Sequence, residues 1–180
     1  MASEEVLQLF NVKNLKKEQE EILGRILDGK DCLAVLPTGY GKSLPYQIAI
    51  PQQRAVGREP KKIIVCCPLI ALMKDQVERL SKIPNIRAMY RDGTPEADRI
   101  IRDGAFDCLF GSPELLVGDS TFRDQLHAFD VSTIVVHEFH TIACCFLPSS
   151  ETVICLPNKL ISPTLVSPTF IGAEQKLIFG

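Results

Sequence analysis

The stretch "DCLAVLPTGYGKSLPYQIAI", Asp31 to Ile50, restricts the possible folds more than any other part of the chain. A short apolar run suited to a buried strand ends in a glycine-containing turn and passes directly into a helical pattern. Gly39 and Gly41 permit the positive φ values that turn successive backbone N–H groups toward one point, at a helix N-terminus that carries partial positive charge. Lys42 adds an ammonium suited to β- and γ-phosphates, and Ser43 a hydroxyl suited to Mg²⁺. Leu36 occupies the position where the strict G-x-x-x-x-G-K-[ST] pattern has its first glycine, so the general pattern is not met. Pro45 is compatible with the helix, because in the first turn it removes an N–H that has no intrahelical partner.

Further apolar runs of strand length follow: Lys62 to Cys67, Ile86 to Tyr90, Asp107 to Gly111 and Ser132 to Val136. Helical stretches separate them. "LIALMKDQVERLSK" gathers Leu69, Leu72, Met73, Gln76, Val77 and Leu80 near one face, and "TPEADRIIRD" opens with Thr94 as a cap and Pro95 at the first helical position. His127, in "FRDQLHAFD", reads as a helix-surface or cap residue. The alternation predicts an α/β fold, a parallel sheet flanked by helices on both faces. At 180 residues the chain suits one domain with one sizeable core, or one domain and a tail. The formal net charge is −2, so any nucleic-acid contact must rest on a local basic patch. "MASEEVLQLF" lacks the basic residues of a secretory leader, and no apolar run is long enough to span a bilayer, which predicts a nuclear or cytoplasmic protein. The seven cysteines, an odd number without a C-x-x-C pair, read as reduced buried thiols.

Four stretches in one order resemble the RecQ-type ATP-dependent DNA helicases of the second helicase superfamily. "PTGYGKSLPYQ" resembles their phosphate loop and its sequel, "LKKEQEEIL" their upstream adenine-recognition segment, "CPLIALMKDQV" their motif Ia and "GSPELL" their motif Ib. The resemblance implies a RecA-like nucleotide-binding lobe that uses ATP and Mg²⁺. Nucleotide contacts then fall to Gln19, Thr38, Gly39, Tyr40, Gly41, Lys42 and Ser43, with the Gln19 amide suited to the N6 and N7 edge of adenine. Single-stranded or partly duplex DNA would meet Pro68, Leu69, Lys74, Arg91 and Ser112. For the intact family the implied activity is ATP-driven, 3′-to-5′ translocation with strand separation.

The stretch "STIVVHEFHTI" departs from the family at its metal site. Family members end this strand in aspartate-glutamate-alanine-histidine, and here the run is His137, Glu138, Phe139, His140. The resemblance makes Glu138 the water-orienting base and His140 the residue that couples nucleotide to DNA, with Lys42 assisting catalysis. It leaves Ser43 as one metal contact and puts His137 where the metal-binding carboxylate belongs. Imidazole is a poor ligand for Mg²⁺, so hydrolysis is expected to suffer more than binding. A zinc-protease H-E-x-x-H motif is absent because Thr141 stands at its last position. His137, His140, Cys144 and Cys145 have the ligand types of a structural zinc site, at irregular spacing.

Composition changes near residue 142: from Thr141 to Gly180 only Glu151, Lys159, Glu174 and Lys176 are charged. Prolines at Pro148, Pro157, Pro163 and Pro168 prevent a long helix there, leaving short strands such as "TVICL" and "KLIF". The expected organisation is thus a truncated lobe over residues 1–142, incomplete at its C-terminal side, and a divergent tail over 143–180, such as an alternative exon would supply. The two strands are expected to be available to cover an exposed sheet edge. A lobe without its second half is expected not to unwind DNA alone. The other reading is a non-catalytic nucleotide- or nucleic-acid-binding module that regulates an active relative.

Overall fold

The computed structural model describes residues 2–37, 39–91, 94–118, 120–137, 151–157 and 177–179. Seven strands form one sheet: β1 (Cys32–Leu36), β2 (Lys62–Cys66), β3 (Ala88–Tyr90), β4 (Cys108–Gly111), β5 (Val131–His137), β6 (Glu151–Pro157) and β7 (Leu177–Phe179). Their spatial order is β3-β4-β2-β5-β6-β1-β7. The β2–β4, β2–β5, β3–β4 and β1–β7 pairs are parallel. β6 alone runs antiparallel to both of its neighbours, β5 and β1.

The sheet is therefore mixed rather than wholly parallel, and the tail strand "TVICL" lies inside it rather than along an edge. An antiparallel return needs no crossover helix, whereas a parallel one does. The sequence between β5 and β6, with Pro148 and no helical periodicity, suits the antiparallel solution. "KLIF" supplies β7, which does lie at an edge, beside β1.

Side-chain alternation along the strands divides the core into two. Ile63, Val65, Cys108, Phe110, Val135, Ala34 and Leu36 face one side, where they pack with α1 (Glu4–Leu9), α2 (Lys17–Leu27), α3 (Leu44–Ala55) and α4 (Ile70–Ser81). Ile64, Leu109 and Ile134 face the other, against α5 (Pro95–Arg102) and α6 (Ser120–His127). α2 shows why these segments are helical: Gln19, Ile22, Leu23 and Ile26 recur at helical spacing and are all buried. Each buried aliphatic side chain of this kind contributes about 1.5–3 kcal/mol. α5 begins as its sequence predicts, with Thr94 Oγ1 accepting from the Ala97 N–H at 3.3 Å and Pro95 in first place. α4 differs in one respect. Leu69 is its N-cap and is 53% exposed, while Met73 and Leu80 carry the buried face. His127 is the last residue of α6.

The N-terminal ends of the strands are tied by a polar cluster. Asp107, buried just before β4, accepts from Arg54 Nη2 at 2.7 Å and from the Arg87 backbone N–H at 2.8 Å. Lys62 Nζ donates to the carbonyls of Gly104 and Phe106 at 2.7 and 3.1 Å. Cys32, Cys66, Cys67 and Cys108 are buried and outside any disulfide. Burial pushes the Cys32 and Cys66 thiols up to about 11 and about 12, which keeps them protonated and unreactive at neutral pH.

Candidate nucleotide and nucleic-acid site

β1 to β5 all point the same way, so the loops that follow them gather along one border of the sheet, where ligands of open α/β sheets bind. The first of these is the glycine turn between β1 and α3. Gly39 and Gly41 have φ of +76° and +85°, the left-handed region their sequence positions require. α3 starts at Leu44 with Pro45 in its first turn, so Ser43 stands at the helix N-terminus. Lys42 is buried, and its ammonium folds back on the turn to donate to the carbonyls of Leu36 and Pro37 at 3.3 and 3.2 Å.

α2 braces this turn from the side. The Gln19 side chain is buried, accepts from the Lys16 N–H at 2.9 Å, and donates to the carbonyls of Tyr40 and Gly41 at 3.0 and 3.1 Å. It thereby closes the first turn of α2 and fixes the glycine turn at once. Two further residues, not singled out by the sequence, hold Tyr40. Lys16 Nζ lies 3.8 Å over its ring, and Glu18 accepts from its hydroxyl. That hydrogen bond holds the Glu18 carboxyl below its ordinary range and raises the Tyr40 phenol. The close spacing of Lys16, Glu18 and Gln19 at a helix start was the available signal, since all three reach the turn from one end of α2.

The end of β5 approaches the same turn. His137 is buried, sits opposite Val153 of β6, and shares a 3.2 Å hydrogen bond between its Nε2 and Ser43 Oγ. Its ring stands edge-on to Tyr46, with centroids 6.4 Å apart. The structure thus brings His137 to Ser43, the neighbour of Lys42 in the glycine turn, across 94 positions of sequence. Thr38, Glu138 and His140 lie outside the described residues, as do Cys144 and Cys145 of the zinc reading. The donors among the described residues do not fit Mg²⁺: Ser43 offers the oxygen this ion takes, but His137 offers nitrogen where a hard, oxygen-seeking cation needs a carboxylate.

The expected nucleic-acid residues fall on the same border. Pro68 and Leu69 follow β2, Arg91 follows β3 and Ser112 follows β4, while Lys74 is exposed one turn into α4. Arg91 Nε donates to Asp98 Oδ1 at 2.7 Å and its guanidinium lies 5.6 Å from the Phe122 ring centre. Ser112 Oγ accepts from the Leu115 N–H at 3.3 Å and so starts the π-helical turn Glu114–Gly118. Leu69 and Ile70 are exposed apolar neighbours, 53% and 61% accessible, at the mouth of this border.

A family model described as DEAD/DEAH box helicase matches residues 16–173. The chain belongs to the DEAD/DEAH box helicase family. Among curated members of this helicase family, it is 30% identical over 177 residues to the "Probable ATP-dependent DNA helicase RecS" of Bacillus subtilis (strain 168), covering 94% of this chain and 34% of the relative. It is 35% identical over 155 residues to "ATP-dependent helicase SGS1" of Saccharomyces cerevisiae, covering 78% of this chain and 10% of that one. With "ATP-dependent DNA helicase RecQ" of Pasteurella multocida the identity is 33% over 141 residues, covering 75% and 21%. The chain therefore spans about a third or less of these relatives' length and corresponds to the helicase domain of RecQ-like proteins. A crystal structure of the DUF1998 helicase MrfA bound to DNA and AMPPNP shares the fold, with a TM-score of 0.63 and 23% identity over 77% of this chain and 21% of that chain. No helix among the described residues is long and apolar enough to cross a membrane.

Proposed function

We propose that this chain is the ATP-binding lobe of a RecQ-like DNA helicase, and that it takes ATP on the glycine turn and single-stranded DNA along the border formed by Pro68, Leu69, Lys74, Arg91 and Ser112. The observation that carries the reading is the convergence of Lys42, Ser43 and His137 at a turn whose glycines hold positive φ. When ATP enters, the Lys42 ammonium leaves the carbonyls of Leu36 and Pro37 for the β- and γ-phosphates, and the N-terminus of α3 faces the same anions. Gln19, whose amide is committed to the Lys16 N–H and to the carbonyls of Tyr40 and Gly41, serves adenine recognition by fixing the turn on which the nucleotide sits rather than by pairing with the base. Thr38 contributes to nucleotide contact, Glu138 serves as base and His140 as the coupling residue. The intact helicase moves 3′ to 5′; this lobe alone does not unwind, because stepping needs a second lobe to close on the nucleotide. Residues 1–142 form the lobe proper and 143–180 a divergent tail that contributes strands to it.

Binding of a fluorescent ATP analogue and of a labelled single-stranded oligonucleotide tests this reading. Lys42→Ala should weaken nucleotide binding at least tenfold and leave DNA affinity within twofold. An unaltered chain that binds neither ligand would refute it.

His137 favours a second reading, a non-catalytic module that regulates an active relative. ATP turnover with and without single-stranded DNA, for the unaltered chain and for His137→Asp, separates the two. DNA-stimulated turnover by the unaltered chain excludes the non-catalytic module.

A further inference from the structure

The Ser43–His137 pair is spaced as two ligands of one metal ion. Donors that each bind a metal at ~2.1 Å stand about 3.0 Å apart at a right angle and about 3.4 Å apart at the tetrahedral angle. The observed separation of 3.2 Å lies between these values, so a cation can replace the hydrogen bond without a shift of β5 or α3. Both donors are held by rigid elements. Ser43 is fixed at the start of α3, and His137 ends β5 in register with Val153, with its buried ring against Tyr46.

Spacing alone would suit any small divalent ion; the donor types discriminate. Mg²⁺ prefers six oxygen ligands and gives up its waters reluctantly, whereas imidazole nitrogen suits the first-row transition metals, with affinity rising from Mn²⁺ through Co²⁺ and Ni²⁺. With its proton on Nδ1, the neutral imidazole directs the Nε2 lone pair at the place where the cation would sit, while the Ser43 hydroxyl supplies a second, neutral ligand. Two protein ligands leave the remaining positions for triphosphate oxygens and water, as expected of a metal that arrives with its nucleotide.

We propose that His137 Nε2 and Ser43 Oγ form a nucleotide-linked site for a first-row divalent transition metal, so that the lobe takes ATP with Co²⁺ in preference to Mg²⁺. The proposal rests on the nucleotide-binding reading above and specifies the cation of that same site.

Two measurements test it. The affinity for a fluorescent, non-hydrolysable ATP analogue is compared in Mg²⁺, in Co²⁺ and in EDTA, for the unaltered chain and for His137→Asp. Co²⁺ should tighten binding by the unaltered chain at least tenfold more than Mg²⁺ does, and His137→Asp should reduce that ratio to about threefold or less. Pulsed electron paramagnetic resonance of the Mn²⁺ complex with the analogue should show coupling to an imidazole nitrogen. That coupling should change its isotope signature when the histidines carry ¹⁵N, a readout that needs no variant and separates protein nitrogen from that of adenine. Equal metal ratios in the two proteins, or no histidine coupling in the nucleotide complex, would overturn the metal site while leaving nucleotide binding intact. Failure to bind the analogue under every condition would instead overturn the nucleotide reading, and this proposal with it.

Discussion

Gly41 is the tightest point of the candidate site. A Cβ there would lie 2.7 Å from Gln19 Nε2, and the backbone φ of +85° disfavours any L side chain. Gln19 cannot yield cheaply, since its amide is committed to the Lys16 N–H and to the carbonyls of Tyr40 and Gly41. Gly39 has a similar φ of +76° but open space around the added carbon. Gly41→Ala should therefore cost about 2–3 kcal/mol and Gly39→Ala about 1 kcal/mol. Urea unfolding midpoints check the order, and an equal cost at the two positions would show that the Gln19 brace is unimportant. The need for glycine at both positions was readable from the turn sequence. The brace was not, because a glutamine near a helix start announces a capping role but not the second element it touches. His137 was legible as a departure from the family pattern, whereas its contact with Ser43, ninety-four positions away, depended on the placement of β5 and α3.

Strands β1 to β5 begin and end within about two residues of their apolar runs, since each is short, apolar and bounded by turn residues, and β2, β4 and β5 are buried on both faces. β6 was legible as a strand, but its direction and neighbours were not, because side-chain periodicity is the same for a parallel and an antiparallel partner. Leu69 looked like part of an apolar helix face and instead caps α4 in the open, a boundary shift that periodicity alone does not resolve. The polar knot below the sheet was also invisible in the sequence. Asp107 joins the C-terminal end of α3, the entry to β3 and the entry to β4 through Arg54 and Arg87. Asp107→Ala should destabilise the fold by about 3 kcal/mol, since it leaves a backbone N–H and a partly buried guanidinium without their carboxylate. Asp107→Asn retains an acceptor and should cost about half as much. Because this knot lies at the opposite end of the strands from the glycine turn, the folded fraction of either variant should keep its nucleotide affinity. A titration with the fluorescent ATP analogue under strongly native conditions checks that separation.

The sheet as a whole depends on a strand drawn from the tail. Among the described strands, β6 is the only hydrogen-bonded link between β5, which carries His137, and β1, which leads into the glycine turn. Val153 is the critical point of that link, paired with Ala34 of β1 on one side and His137 of β5 on the other. Proline at this position removes a donor from a central strand and places a ring where a neighbouring chain must pass, at a cost of about 3 kcal/mol or more. β7 provides the comparison, since among the described strands it is an edge strand of three residues bonded to β1 alone. Val153→Pro should lower the unfolding midpoint far more than Ile178→Pro. It should also weaken nucleotide binding under conditions where the protein remains folded, because the Ser43–His137 separation is set by the width of β6 between their two strands. Equal losses in the two variants would mean that helix packing, rather than β6, holds the two halves of the site together. Unchanged nucleotide affinity in folded Val153→Pro would place the binding energy on the glycine turn alone.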